Sequence, residues 1–512
     1  MFYCGSGFIS PGALFREVCN MSLIKVENLT FSYPSSYENI FENVSFQIDT
    51  DWKLGFIGRN GRGKTSFLKL LMGEYQYQGK IVSSVKFDYF PYPLEDTGRP
   101  TRELLSQVCP QGEDWEFQRE LSLLELEDEV LERPFSSLSG GERTKALLAA
   151  LFLNPGHFLL IDEPTNHLDR RGRELVSAYL KKKKGFILVS HDRSFLDGCV
   201  DHILSINRAD IQVQSGSFSS WLENFQRRQD FELSRNRQLQ KEIKQLQQSA
   251  RRSSAWSDKA ESGKYGSRNS GLKVDRGYVG HKAAKMMKRS KNLEARQKKA
   301  IEEKSGLLKN VETAESLKLF PLSHHAQQLI SLKDCAPAYG GREVCPRLSF
   351  SLSRGERIAL DGRNGSGKSS LLKLLAGQPL EHSGSFSLAS GLIVSYVPQD
   401  SSHLSGPLSA YARSASIDES LFMTILRKLD FSRSQFDLEL EELSAGQKKK
   451  LMLAESLCRR AHVYLWDEPL NYIDIYSRMQ IEELIKEFSP TMVFVEHDAA
   501  FRNAVATRVI SL

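Results

Sequence analysis

The sequence predicts an α/β protein in which two copies of one domain are joined by a long, basic, helical connector. Three observations carry that expectation. First, five landmarks recur in one register: Lys64 and Lys368 lie 304 residues apart, the pairs Ser139/Ser444, Glu163/Glu468 and Asp169/Asp474 lie 305 apart, and His191/His497 lie 306 apart. Chance does not hold five positions to one offset, so the chain contains a duplicated unit, roughly Ser22 to Ser217 and His325 to Leu512. Second, each copy alternates short apolar runs with segments of helical period, the pattern of an α/β domain. Third, residues 222–318 between the copies hold 24 Lys+Arg and 12 Asp+Glu, a net of +12 in a chain whose total is +6.

The 512 residues and 40% apolar content are enough for several ordinary cores. No run approaches the roughly 18 to 20 consecutive apolar residues of a membrane span, so any transport role would need a separate membrane partner. The seven cysteines (Cys4, Cys19, Cys109, Cys199, Cys335, Cys345, Cys458) form no C-x-x-C pair and are odd in number, which suits a reducing, cytoplasmic setting and argues against zinc or iron–sulfur chemistry. Met1 to Asn20 lack the basic start and apolar core of a signal peptide. Met21 precedes the strand-like Leu23 to Leu29, and translation is expected to start there. The expected domains are a disordered or artefactual extension over 1–21, a first domain over 22–221, a connector over 222–318 and a second domain over 319–512.

Within the copies, the apolar runs Lys53 to Ile57 and Arg357 to Leu360 lead into Gly58-Arg-Asn60-Gly61-Arg-Gly63-Lys64-Thr65 and Gly362-Arg-Asn364-Gly365-Ser-Gly367-Lys368-Ser369. Both fit G-x-x-x-x-G-K-[ST] and both precede a helical pattern, Ser66 to Met72 or Ser370 to Ala376. Glycines let backbone N–H groups turn inward around phosphates at a helix N-terminus. The lysine then meets the β- and γ-phosphates, and Thr65 or Ser369 offers a hydroxyl to Mg²⁺. A glycine-rich turn with no ligand is the bland alternative; two matches in equivalent places argue against it.

Farther on, the runs Phe158 to Ile161 and Val463 to Trp466 deliver Asp162-Glu163 and Asp467-Glu468. The aspartate can hold the metal and the glutamate can polarise an attacking water. His191 and His497 follow the runs Phe186 to Val189 and Met492 to Val495, and their duplication in register makes each a candidate γ-phosphate contact.

Both copies also carry Leu138-Ser139-Gly-Gly141-Glu142 and Leu443-Ser444-Ala-Gly446-Gln447. With these strings the chain resembles the ATP-binding-cassette superfamily. The resemblance implies two nucleotide-binding domains stacked head to tail, with two ATP and Mg²⁺ as cofactors. One site would pair Lys64 and Glu163 with Ser444 and Gly446; the other would pair Lys368 and Glu468 with Ser139 and Gly141. Tyr33 and Tyr339, about thirty residues before the lysines, match the aromatic that stacks on adenine, with plain core tyrosines as the alternative. The metal-binding glutamine is matched by Gln399 in Tyr396-Val-Pro-Gln399, but the first copy reads Tyr89-Phe-Pro-Tyr92, and a phenol has no amide carbonyl. Ala445 replaces the first signature glycine of the second copy. Unequal sites are expected, the first being slower.

The connector holds no nucleotide motif. Apolar residues at helical spacing (Leu239, Ile243, Leu246) and near-heptad spacing (Leu293, Ala300 or Ile301, Leu308) flank Gly263, Gly266, Gly271, Gly277 and Gly280, which predicts two antiparallel helices joined by a tip. A first helix from Leu222 to about Ser262 is expected to extend on the order of 60 Å. Residues 251–300 alone carry 15 basic and 4 acidic side chains, net +11. Lys264, Arg268, Lys273, Arg276 and Lys282 interleave with Tyr265, Leu272 and Tyr278, and Lys285, Lys288, Arg289 and Lys291 follow. A charge run is commonly a solvated face. Basic residues among aromatics instead fit phosphate neutralisation and base stacking on structured RNA.

Two cassettes, no membrane domain and a helical linker resemble the ABC-F family of ribosome-associated ATPases, and within it the antibiotic-resistance ribosomal protection proteins of the Lsa type. The strings that carry this are Trp52-Lys-Leu-Gly before the first loop, Arg133-Pro-Phe-Ser-Ser-Leu-Ser-Gly-Gly141, Gly263-Lys-Tyr-Gly266, Met287-Lys-Arg-Ser-Lys291 and Trp466-Asp-Glu-Pro-Leu-Asn-Tyr472. The intervals Lys64 to Ser139 and Lys368 to Ser444, 75 and 76 residues, leave no room for the helical insertion common in housekeeping relatives. The resemblance implies two ATP-binding-cassette nucleotide-binding domains joined by a long antiparallel α-helical hairpin arm. It further implies a monomer with an intramolecular cassette dimer, acting at the exit site of the large ribosomal subunit on its RNA and on peptidyl-tRNA. There the arm would dislodge lincosamide, streptogramin A or pleuromutilin antibiotics. A housekeeping translation factor and the ATPase subunit of a drug exporter are the alternatives.

Overall fold

The computed structural model describes residues 22–34, 39–207, 210–262, 285, 288 and 317–512. The chain divides into two units, one formed by the residues up to Ser219 together with those from Ser316 onward, the other by 220–315. The expected extension over 1–21 lies outside the described residues.

In the first cassette a six-stranded sheet runs in the order Lys86–Phe90, His157–Asp162, Phe186–Val189, Lys53–Ile57, His202–Asn207, Asp210–Ser215. The first five strands are parallel and the last turns back antiparallel. Phe186–Val189 is buried at every position, as a parallel strand covered on both faces must be. Phe41–Asp49, Leu23–Phe31 and Gln78–Val82 form a separate antiparallel sheet. Leu54, Phe56, Phe67 and Leu68 pack with Ile24, Phe31 and Phe41 in one core, so the helix after the phosphate loop is clamped between the sheets.

The second cassette repeats this plan with a parallel sheet ordered Val394–Val397, Val463–Asp467, Met492–Val495, Arg357–Asp361, Arg508–Ser511. Its antiparallel sheet centres on Gln328–Tyr339. The run that begins Trp466-Asp-Glu owes its aromatic to packing: Trp466 is 1% exposed, and its indole N–H donates to Ser456 Oγ at 3.0 Å, as a buried indole requires. In both sheets the strand before the phosphate loop lies between strands that follow it much later in sequence. The loop, the Asp-Glu pair and the histidine therefore gather at the carboxyl ends of adjacent strands, where open α/β sheets bind ligands.

From the first cassette the chain continues as one helix, Phe218–Ser262, of 45 residues, about 68 Å at 1.5 Å per residue. Leu239, Ile243 and Leu246 lie on it. Trp221 and Phe225 stack near its start with centroids 5.0 Å apart. Of the candidate RNA contacts, Lys285 and Lys288 are helical and exposed. Lys264, Tyr265, Arg268, Lys273, Arg276, Lys282, Arg289 and Lys291 lie outside the described residues, as do the glycines of the expected tip and the apolar residues of the expected second helix. Among the described residues no helix is long and apolar enough to cross a membrane.

Candidate active site

Each phosphate loop is forced through left-handed backbone at Gly61 and Gly63 (φ 80° and 88°) and at Gly365 and Gly367 (φ 81° and 89°). A Cβ on Gly63 would stand 2.4 Å from Ile40 Cγ2, and one on Gly367 would stand 2.8 Å from Cys345 Cβ and from the Val344 carbonyl oxygen, so only glycine fits either place. Lys64 Nζ donates to the Gly58 carbonyl at 2.7 Å, to the Arg59 carbonyl at 3.2 Å and to Asn60 Oδ1 at 3.3 Å. Lys368 Nζ donates to the Gly362 and Arg363 carbonyls, both at 2.8 Å. Both ammoniums are buried, and that burial lowers their pKa. A phosphate accepting from either lysine would oppose that lowering by favouring the charged form.

The two candidate metal positions differ. In the first, Asp162 Oδ2 accepts from Thr65 Oγ1 at 2.8 Å and from the Tyr89 hydroxyl at 3.0 Å. In the second, Asp467 is 1% exposed and neither carboxylate oxygen has a hydrogen-bond partner among the described residues. Burial pushes its pKa up to about 6. The hydroxyl of Tyr396, the counterpart of Tyr89, is likewise buried without a partner among the described residues. An orphaned buried carboxylate next to the Ser369 hydroxyl is a set of hard oxygen donors that fits Mg²⁺. Gln399 Nε2 donates to Glu468 Oε2 at 2.8 Å, which leaves the amide oxygen for such an ion.

Glu163 and Glu468 both adopt left-handed backbone, φ 50° and 47°, a conformation that costs a non-glycine residue of order 1–3 kcal/mol. Their N–H groups donate to the Val189 and Val495 carbonyls at 2.9 and 3.0 Å, which pins each glutamate to the neighbouring strand end. His191 Nε2 lies 3.2 Å from Glu163 Oε1, and His497 Nε2 lies 3.3 Å from Glu468 Oε1. The acidities diverge. Burial, with Asp162 alongside, raises Glu163 to about 8. Burial also works to raise Glu468, but hydrogen bonds from His497 and Gln399 outweigh it and hold the carboxyl below its ordinary value. Asn471 Nδ2 adds a third bond to Glu468 at 2.7 Å. The histidines are placed by the residue after each: Asp192 and Asp498 cap the next helix and pair with the buried Arg173 and Arg478 at 2.8 and 3.1 Å.

Across the cassettes, Gly446 meets the first phosphate loop. A Cβ there would stand 2.7 Å from the Tyr472 carbonyl oxygen and 3.3 Å from Asn60 Nδ2. Asn60 Nδ2 itself donates to that carbonyl at 2.7 Å. On the other side a cavity of about 550 Å³ is lined by Lys368, Ser369, Gln399 and Glu468 together with Gly140 and His167 of the first cassette. Gly140, rather than the expected Gly141, faces this space. Ser139 and Ser444 cap their helices, accepting from the Glu142 and Gln447 N–H groups at 3.3 and 3.4 Å. Tyr339 is 48% exposed with its hydroxyl 3.4 Å from Ser370 Oγ, whereas Tyr33 sits edge-on to Phe31 and Tyr75 and shares a 2.7 Å hydrogen bond with Ser66 Oγ. Sequence reasoning misses Tyr89, Asn471 and Tyr472. The register of the repeat, which sets Tyr89 against Tyr396 and His167 against Tyr472, is the available signal.

Residues 41–166 and 345–471 each match the family model described as ABC transporter. The chain therefore holds two ABC cassettes and is an ATPase. It is 26% identical to the ribosome protection protein VmlR of Bacillus subtilis, over 92% of this chain and 83% of that protein. It is also 26% identical to the energy-dependent translational throttle protein EttA of Haemophilus influenzae, over 92% of this chain and 89% of that one. Among solved structures, the archaeal ribosome recycling factor aABCE1, in complex with the stalk protein aP1, superposes with a TM-score of 0.60 at 19% identity, covering 94% of this chain and 87% of that chain.

Proposed function

We propose that this twin-cassette ATPase is a cytoplasmic ribosomal protection protein of the ABC-F family, of the Lsa type. One observation carries the reading: a net charge of +11 is concentrated in residues 251–300, inside a connector that leaves the first cassette as a 45-residue helix. Such a segment suits a probe that enters RNA, and it has no use in an exporter subunit. The relatives named for ribosome protection and translational throttling support a ribosomal target.

In this reading Lys64 and Lys368 hold the phosphates, Tyr33 and Tyr339 face adenine, and Glu163 and Glu468 orient water beside His191 and His497. Thr65 with Asp162, and Ser369 with Gln399 and Asp467, would hold Mg²⁺, which supplies charge neutralisation on the β- and γ-phosphates. ATP favours the closed cassettes, and the closed form enters the exit site of the large subunit as a monomer. The arm then reaches toward the peptidyl-transferase region, displaces peptidyl-tRNA and frees the lincosamide, streptogramin A or pleuromutilin pocket. ATP drives this only through its differential affinity for the closed state.

The test is translation in a membrane-free extract stalled by a lincosamide. Purified protein with ATP is expected to restore synthesis without changing drug concentration. No recovery sinks the protection reading, and an effect on synthesis equal with and without drug marks a housekeeping translation factor instead.

A further inference from the structure

The two sides of the cassette interface use different residues at equivalent positions. On the side of the first phosphate loop, Arg59 forms an ion pair with Asp430 of the second cassette, and its guanidinium lies 5.4 Å from the centroid of the Tyr476 ring. Asp430 follows the helix Glu419–Lys428 in left-handed backbone, φ 65°. Its counterpart Glu125 follows the helix Asp114–Leu123 in the same conformation, φ 51°. Glu125 pairs instead with Arg171 of its own cassette, at 2.7 Å.

The register of the repeat explains the difference. Arg171 stands 305 residues before Tyr476, so where the first cassette supplies a cation to this acid the second supplies a phenol ring. Asp430 is thereby left to Arg59. On the side of the second phosphate loop Arg170 pairs with Asp361, at 3.1 Å, and the counterpart of Arg170 is Ile475; a further pair, Arg193 to Glu482 at 2.6 Å, also crosses between the cassettes. The burial differs too: Arg59 is 8% exposed, whereas its counterpart Arg363 is exposed. A guanidinium held between a carboxylate and an aromatic face, and withdrawn from water, interacts more strongly than a surface pair.

We propose that Asp430 and Tyr476, acting through Arg59, form a latch on the first ATP site, so that nucleotide leaves that site more slowly than the second. Asp430 is a positioning residue: it keeps the helical part of the second cassette against the first phosphate loop, and the cassettes part first on the Lys368 side. The inference rests on the ATPase reading and not on the ribosomal one.

The test uses full-length protein carrying Glu163→Gln and Glu468→Gln, so that hydrolysis is suppressed, loaded with a fluorescent methylanthraniloyl ATP and chased with ATP. Two release phases are expected. Asp430→Asn, which tolerates the left-handed backbone, should speed the slow phase about tenfold, the size of a coupling lost between contacting residues. The fast phase should not move. Tyr476→Arg, which gives Asp430 the partner that Glu125 has, should speed the slow phase likewise. Asp430→Glu should recover part of the delay, and Glu125→Gln should change neither phase. A single phase in the parent, or two normal phases that neither Asp430→Asn nor Tyr476→Arg alters, overturns the latch and leaves the ATPase reading intact. Failure of the parent to bind the nucleotide would overturn both.

Discussion

Glu163 and Glu468 stand at equivalent strand ends with equivalent backbone, yet they meet different neighbours. Hydrogen bonds from Gln399, Asn471 and His497 favour the ionised form of Glu468, whereas burial beside Asp162 favours the protonated form of Glu163. Only an ionised carboxylate can accept a proton from attacking water, so Glu468→Gln should lower steady-state phosphate release about 100-fold or more. Glu163→Gln should cost several-fold less, and equal losses would refute unequal sites. Tyr89 acts on the same asymmetry by donating to the aspartate that would face the metal. Tyr89→Phe should therefore tighten Mn²⁺ at the first site, read by electron paramagnetic resonance in the presence of ATP, while Tyr396→Phe should leave the second unchanged. The motifs are legible in the sequence because the chemistry admits few residue types. Tyr89 is not, because a tyrosine in a half-buried strand looks the same whether its hydroxyl meets solvent or a carboxylate.

At the scale of elements, the parallel strands are legible almost to the residue. Leu54 to Ile57, Phe186–Val189 and Met492–Val495 are short runs without a charged or polar side chain, bounded by polar or glycine residues, and burial on both faces leaves no other reading. The signature helices are legible as capped helices, but the position each presents across the interface is not, since that depends on packing between distant segments. Gly446 carries the consequence. Its missing Cβ leaves room for the Tyr472 carbonyl, which is backbone and cannot swing away. Gly446→Ala should reduce turnover at least tenfold with unchanged circular dichroism. At Gly140 the nearest atom to an added Cβ is a His167 side-chain carbon at 3.1 Å, so Gly140→Ala should be milder. Trp466 belongs to this scale as well. Trp466→Phe removes the indole donor, leaves the buried Ser456 hydroxyl with Ser395 as its partner, and should destabilise the second cassette by about 1 kcal/mol in urea unfolding.

For the whole molecule, the division of labour follows from charge. The chain is +6 overall and residues 222–318 are +12, so the remainder is net negative and the excess positive charge resides in the connector. Replacing residues 240–300 with a short flexible linker should leave ATPase activity within about threefold while abolishing cosedimentation with ribosomes. For the intact protein that cosedimentation should weaken steeply as salt rises, because neutralised phosphates release counterions. Composition alone displays this partition, because charge adds along the chain whatever the fold. It cannot display how the first phosphate loop is packed, since Arg59 and Arg363 are the same residue in the same motif and differ only in what the opposite cassette brings to them.

Asn60 illustrates where that packing leads. Its oxygen faces Lys64 and His191, its amide nitrogen donates to Tyr472, and Gly61 follows it. Asn364 has the same glycine neighbour but is exposed. Asparagine before glycine is the sequence most prone to spontaneous deamidation, which requires the glycine nitrogen to swing onto the side-chain carbonyl. Engaged at both ends, Asn60 is restrained from that attack and Asn364 is not. Stored protein should therefore age chemically from the second cassette inward, and peptide mass spectrometry of warmed samples should find the acid form at Asn364 first.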